Sequence, residues 1–132
     1  MLTGGCCCRS VRYRAEGEPF ERALCHCTLC RGVSGAPALA WFSVQLSGFR
    51  YTEGSPVRFA SSPEADREFC GRCGTQLSFR RRDYGDRIDL TTASLDDPEA
   101  APPVEHIWVR SRLSWMTRLG DLPEQPTDDH AG

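Results

Sequence analysis

The chain has 132 residues, sixteen arginines and no lysine, eighteen acidic residues and a net charge of −2. That length is one domain with a modest core. Without a lysine amine, Schiff-base catalysis and the P-loop are excluded, and the slightly acidic balance argues against nucleic acid or an anionic membrane as partner.

The first residues, Met1 to Gly5, lack the charged start and apolar run of a signal peptide. No segment approaches a membrane span. The expected location is therefore cytoplasmic, where cysteines stay reduced. Cys6-Cys7-Cys8 forms the first of three cysteine clusters. Val11 to Arg14 alternates apolar and charged residues and predicts a half-buried strand. Phe20 to Cys25 predicts a second strand that ends on the second cluster, Cys25-His26-Cys27-Thr28-Leu29-Cys30. Cys27 to Gly32 reads as a turn or a single helical turn. Ala38 to Val44 is the most apolar run and predicts a central strand.

Phe49 to Thr52 and Val57 to Ala60 alternate on either side of the turn Glu53-Gly54-Ser55-Pro56. Arg67-Glu68-Phe69 leads into the third cluster, Cys70-Gly71-Arg72-Cys73, and Gln76 to Arg80 leaves it as a strand. Arg80-Arg81-Arg82 is a dense basic run. It reads as a solvated strand end before the turn Asp83-Tyr84-Gly85-Asp86, in preference to a phosphate site. Arg87 to Thr91 alternates cleanly, and Leu95-Asp96-Asp97-Pro98 is a turn. Residues 1–122 form one domain. Residues 123–132, with two prolines and Glu124, Asp128 and Asp129, predict a disordered tail, so His130 is set aside as a ligand. The whole reads as mainly β, with short sheets, zinc-bearing turns and little helix.

Cysteines one or two residues apart pair badly with one another in a disulfide. They do place two sulfurs on one metal ion. Zinc, two ions per chain, is therefore favoured over a disulfide framework. Cys6, Cys8, Cys70 and Cys73 make a closed four-thiolate site, and closed sites are structural. Cys7 points to the other side and is a bystander. Cys25, Cys27 and Cys30 leave a fourth position. Either it stays open, as in a catalytic zinc, or His26, His106 or an acidic side chain closes it. A thiolate-rich shell suits a soft fourth ligand and keeps a bound thiol deprotonated, which favours chemistry on a thiol or its aldehyde adduct. Zinc holding the aldehyde oxygen is the other arrangement. His106 and Asp96 are the polar residues first in line as proton carriers.

These motifs resemble the glutathione-dependent formaldehyde-activating enzyme family, which includes centromere protein V. Gly4 to Cys8 followed by Val11-Arg12-Tyr13 resembles its opening. Cys25 to Arg31 with Ser34 to Pro37, Phe69 to Thr75, Ala93 to Pro98 and His106-Ile107-Trp108 are similar to its later motifs. The likeness runs from about Gly4 to Trp115. It implies a β-tent fold, shared with Rab-binding accessory factors. It also implies a structural ion on Cys6, Cys8, Cys70 and Cys73 and a catalytic ion on Cys25, Cys27 and Cys30. The implied activity is that of a carbon–sulfur lyase joining glutathione to formaldehyde, with a small-molecule thiol and aldehyde as partners. One departure is Arg9, where the family usually has glycine; the fold accommodates it where the local φ is negative. The alternative function is a non-catalytic binding module with two structural zinc ions.

Overall fold

The computed structural model describes residues 1–128. In chain order the first elements are β1 (Leu2–Gly5), β2 (Arg12–Ala15), β3 (Phe20–Cys25), helix α1 (Thr28–Ser34) and β4 (Leu39–Val44). Then come β5 (Phe49–Glu53), β6 (Val57–Ser62), β7 (Ala65–Phe69), β8 (Gln76–Arg81), β9 (Ile88–Thr91) and β10 (Glu105–Ile107). Short 3-10 segments fill the connections and run from Ser114 to Asp121 near the end. The fold is mainly β. Residues 123–128 are exposed and carry neither helix nor strand; His130 and the remainder of the expected tail lie outside the described residues.

The strands make two sheets. The smaller has the order β1-β2-β5, and the larger runs β10-β3-β4-β9-β8-β7-β6. All pairings are antiparallel except β10 with β3, which is parallel. The strands flanking the Gly54 turn therefore belong to different sheets. The turn needs a left-handed residue, and Gly54 has φ 66°. Its missing Cβ also matters, because one there would lie 2.1 Å from the carbonyl oxygen of Ser10.

The core lies between the sheets. Tyr13 and Ala15 from the small sheet meet Phe42, Val44, Leu77, Ile88 and Leu90 from the large one. Full burial of a side chain such as Phe42 or Leu90 is worth about 1.5–3 kcal/mol. The period of two in β4 sends Phe42 and Val44 to this core and Trp41 to the opposite face, where it packs with Cys25 and Cys30. The alternation read in Arg87 to Thr91 predicts a strand with one wet face. Instead all four residues of β9 are buried. Asp89 is tolerated because it accepts from Ser43 Oγ at 2.6 Å and pairs with Arg87 at 2.9 Å.

Arg9 overturns its expectation. Its φ is 67°, in the left-handed region, not negative. Arg9 ends the tight turn that its own N–H closes on the Cys6 carbonyl at 3.0 Å, and its left-handed step turns the chain back so that the Val11 carbonyl accepts from the Cys6 N–H at 3.0 Å. A glycine would meet that demand without strain.

Candidate functional site

The strand ends and turns bring two groups of sulfurs together. Cys6, Cys8, Cys70 and Cys73 have all four Sγ atoms within 4.8 Å of one another. Cys8 and Cys70, 62 positions apart in the chain, approach to an Sγ···Sγ distance of 3.8 Å, and Cys6 to Cys8 is 3.6 Å. A tetrahedral ion with zinc–sulfur bonds near 2.3 Å sets its sulfurs about 3.8 Å apart, so the group fits zinc. Backbone N–H groups and hydroxyls surround its sulfurs. The Val11 N–H donates to Cys6 Sγ at 3.2 Å, and the Arg72 and Cys73 N–H groups donate to Cys70 Sγ at 3.4 Å. Ser10 Oγ lies 3.0 Å from Cys8 Sγ and 3.5 Å from Cys70 Sγ. The Ser10 contact holds the Cys70 thiol down to about 7, and the Thr75 hydroxyl with its backbone holds Cys73 down to about 5. Cys7 is exposed and stands outside the group.

The second group is Cys25, Cys27 and Cys30. β3 delivers Cys25 at its last residue. Cys27 is the N-cap of α1, its sulfur accepting from the Cys30 N–H at 3.2 Å, and Gly35 ends the helix at φ 71°. One turn of helix thus sets Cys30 beside Cys25 at 3.5 Å. The contact with Cys25, then that with Cys30, depresses the Cys27 thiol, while Cys25 is raised by its contacts with Cys27 and Cys30 and by burial. Among the described residues, no histidine or carboxylate joins these three within ligand distance. His26 is fully buried and turns away. Its Nε2 lies 2.9 Å from His106 Nδ1, and its backbone N–H donates to the Ile107 carbonyl at 3.1 Å.

The three sulfurs stand in the wall of a cavity of about 460 Å³. Cys25, Cys27 and Cys30 form one side, Trp41, Phe79 and Leu29 give apolar walls, and Arg67, Arg81, Arg87 and Arg110 bring positive charge. Glu21, Asp89 and Glu105 oppose it in part. Arg87 pairs with Glu21 and Asp89, and Arg81 with Asp83. Neither expected proton carrier lines this space. His106 faces away because Glu105 and Ile107, its neighbours on β10, face in. Asp96 is tied to Arg12 at 2.5 Å and to Thr3 at 2.7 Å, which hold its carboxyl down to about 2. Arg67 is the residue that sequence reasoning passed over, reading it only as part of a strand. An arginine in an alternating strand carries no signal that distinguishes a buried guanidinium from a solvated one.

The family model described as glutathione-dependent formaldehyde-activating enzyme matches residues 1–111. A protein of Schizosaccharomyces pombe described as an uncharacterized lyase is 34% identical over 76 residues, which is 58% of this chain and 55% of that protein. The match thus spans about half the length of that relative. The crystal structure of a Rhodobacter sphaeroides protein superposes with a TM-score of 0.60 at 24% identity, covering 79% of this chain and 98% of that one, a likeness of fold. Among the described residues no helix is long and apolar enough to cross a membrane.

Proposed function

The chain belongs to the glutathione-dependent formaldehyde-activating enzyme family, and from that premise we propose that it is a zinc-dependent carbon–sulfur lyase acting on a glutathione-like thiol and a small aldehyde such as formaldehyde. The reaction adds R–S–H across the aldehyde carbonyl to give R–S–CH2–OH, or reverses it. The observation that carries the reading is the set of three sulfurs, without a fourth protein ligand among the described residues, in the wall of a 460 Å³ cavity. In this reading Cys25, Cys27 and Cys30 hold the catalytic ion, and Cys6, Cys8, Cys70 and Cys73 hold the structural one. A zinc ion at the first set keeps a thiol deprotonated or polarises a carbonyl at neutral pH.

The chain's own residues supply the rest. The Cys27 thiol is held down by its contacts with Cys25 and Cys30 and by the Cys30 N–H of the helix it caps. Trp41 and Phe79 keep the sulfur side of the cavity apolar, which strengthens every charge interaction there. Arg110, stacked on Trp108 at 5.0 Å, is placed for a substrate carboxylate at the rim. His106 acts as a positioning residue, holding His26 and with it the Cys25–Cys27 turn. Asp96 takes no part in this reading, since it lies outside the cavity wall and is tied to Arg12 and Thr3.

The test is exchange NMR on glutathione and formaldehyde, which also combine spontaneously. The wild type is expected to exceed that background and a Cys27→Ser control to match it. A wild type no faster than the control across several thiols and aldehydes leaves the binding-module reading in its place.

A further inference from the structure

Arg67 is 4% exposed, on β7, with its guanidinium inside the molecule. Its Nη1 and Nη2 donate to Cys30 Sγ at 3.7 and 3.8 Å. The group lies over the ring of Phe79 at 4.8 Å and of Trp41 at 5.9 Å. Its Nε is buried with no hydrogen-bond partner. Arg81 and Arg87, also in the cavity wall, each have a carboxylate. Among the described residues Arg67 forms no ion pair with aspartate or glutamate, and the group at its fork is the sulfur of Cys30. A cation taken out of water into a wall of two aromatic rings is expensive unless an anion answers it.

The charge count at the second cluster supplies that anion. Three thiolates and a divalent ion sum to −1, so Arg67 brings the site to zero. A thiolate arriving at the fourth position carries the count to −1; without Arg67 it would stand at −2 in an apolar pocket. A neutral donor changes neither sum. We propose that Arg67 is the specificity-determining residue of the fourth position, making it accept an anionic sulfur in preference to a neutral ligand. This rests on the reading that Cys25, Cys27 and Cys30 hold an ion with one position free. Arg67 touches Cys30 and not the reacting carbon, so its role is electrostatic positioning.

The experiment uses the full chain loaded with cobalt, with Cys27→Ser as the blank for the other cluster. 2-Mercaptoethanol and imidazole are titrated separately at fixed pH, and the cobalt absorption bands report occupancy. In wild type the thiol is expected to bind and to be preferred over imidazole. Arg67→Gln and Arg67→Met, the latter keeping an apolar stem against Trp41 and Phe79, are expected to lose about tenfold or more in thiol affinity while imidazole affinity holds or rises. That is the scale on which a cation within about 4–6 Å favours a charged partner. Arg67→Lys keeps the charge and is expected to keep the preference. Equal losses for both probes, or no change in the neutral variants, overturn the proposal and leave Arg67 a packing residue. If neither neutral variant folds, a tenfold loss of preference in Arg67→Lys overturns it and retention supports it. A wild type that takes no cobalt at the second cluster removes the reading on which the proposal stands. A wild type that takes cobalt and thiol while Arg67→Gln and Arg67→Met bind both probes as wild type does removes only the proposal.

Discussion

Arg9 holds a backbone conformation that an L-residue adopts at a cost. With φ at 67°, its Cβ crowds its own carbonyl by about 1 kcal/mol. Arg9→Gly is therefore expected to stabilise the metal-loaded protein by about 0.5–1 kcal/mol, the entropy of the freer glycine offsetting part of the relief. Chemical denaturation measures this, and a less stable glycine variant would contradict the strain. Asp96 offers a pH test. Arg12 and then Thr3 lower its carboxyl to about 2 in the folded chain, against an ordinary value near 3.8. A depressed carboxyl contributes stability that is present above its unfolded value and lost as pH falls through the folded one. Asp96 is 42% exposed, so solvent screens the pair to about 0.5–1 kcal/mol. Asp96→Asn should be less stable than wild type by that amount at pH 6, with the gap closing between about pH 4 and 2. A gap independent of pH would mean that the side chain acts by shape alone.

At the scale of elements, the two cysteine turns do different work. The Cys70–Cys73 turn and the Cys6–Cys8 turn join β7 and β8 of the large sheet to β1 and β2 of the small one, so the ion they are proposed to hold fastens sheet to sheet. Cys70→Ser is expected to unfold the domain or render it insoluble, because structural metal binding is folding free energy. Cys27→Ser keeps a side chain that can cap α1 and removes one proposed ligand. It should leave a folded chain short of one ion, as read by circular dichroism and metal analysis. Equal unfolding in both variants would make the second cluster structural too. Most strands were legible because period two is visible in Val11 to Arg14 and in Phe49 to Thr52. β9 was misjudged because its charged Asp89 imitates a wet face. Only the tertiary partners Ser43 and Arg87 show why it is buried. The destination of the chain after Gly54 was likewise beyond local pattern, since a turn does not say which sheet the next strand joins.

For the molecule as a whole, metal should leave in two stages. About two zinc ions per chain are expected, and a chelator should first take the one at the cavity wall with little change in far-ultraviolet dichroism. The second should leave together with the fold. A single cooperative loss would contradict the division of roles. The cysteine groupings could be read from spacing because metal geometry constrains close neighbours tightly. The cavity could not, since its walls come from β3, α1, β4, β6, β7, β8, β9, β10 and the segment after β10. Arg67, Trp41 and Phe79 are distant in sequence and meet only through sheet register. The long span from Cys8 to Cys70 also bears on how the chain is made. At about 5–20 residues per second, 62 residues take about 3–12 s to synthesise. For that interval the first thiols stand on a growing polypeptide with no partners to complete their site. The cell must keep them reduced and clear of stray metal until the later turn has left the ribosome.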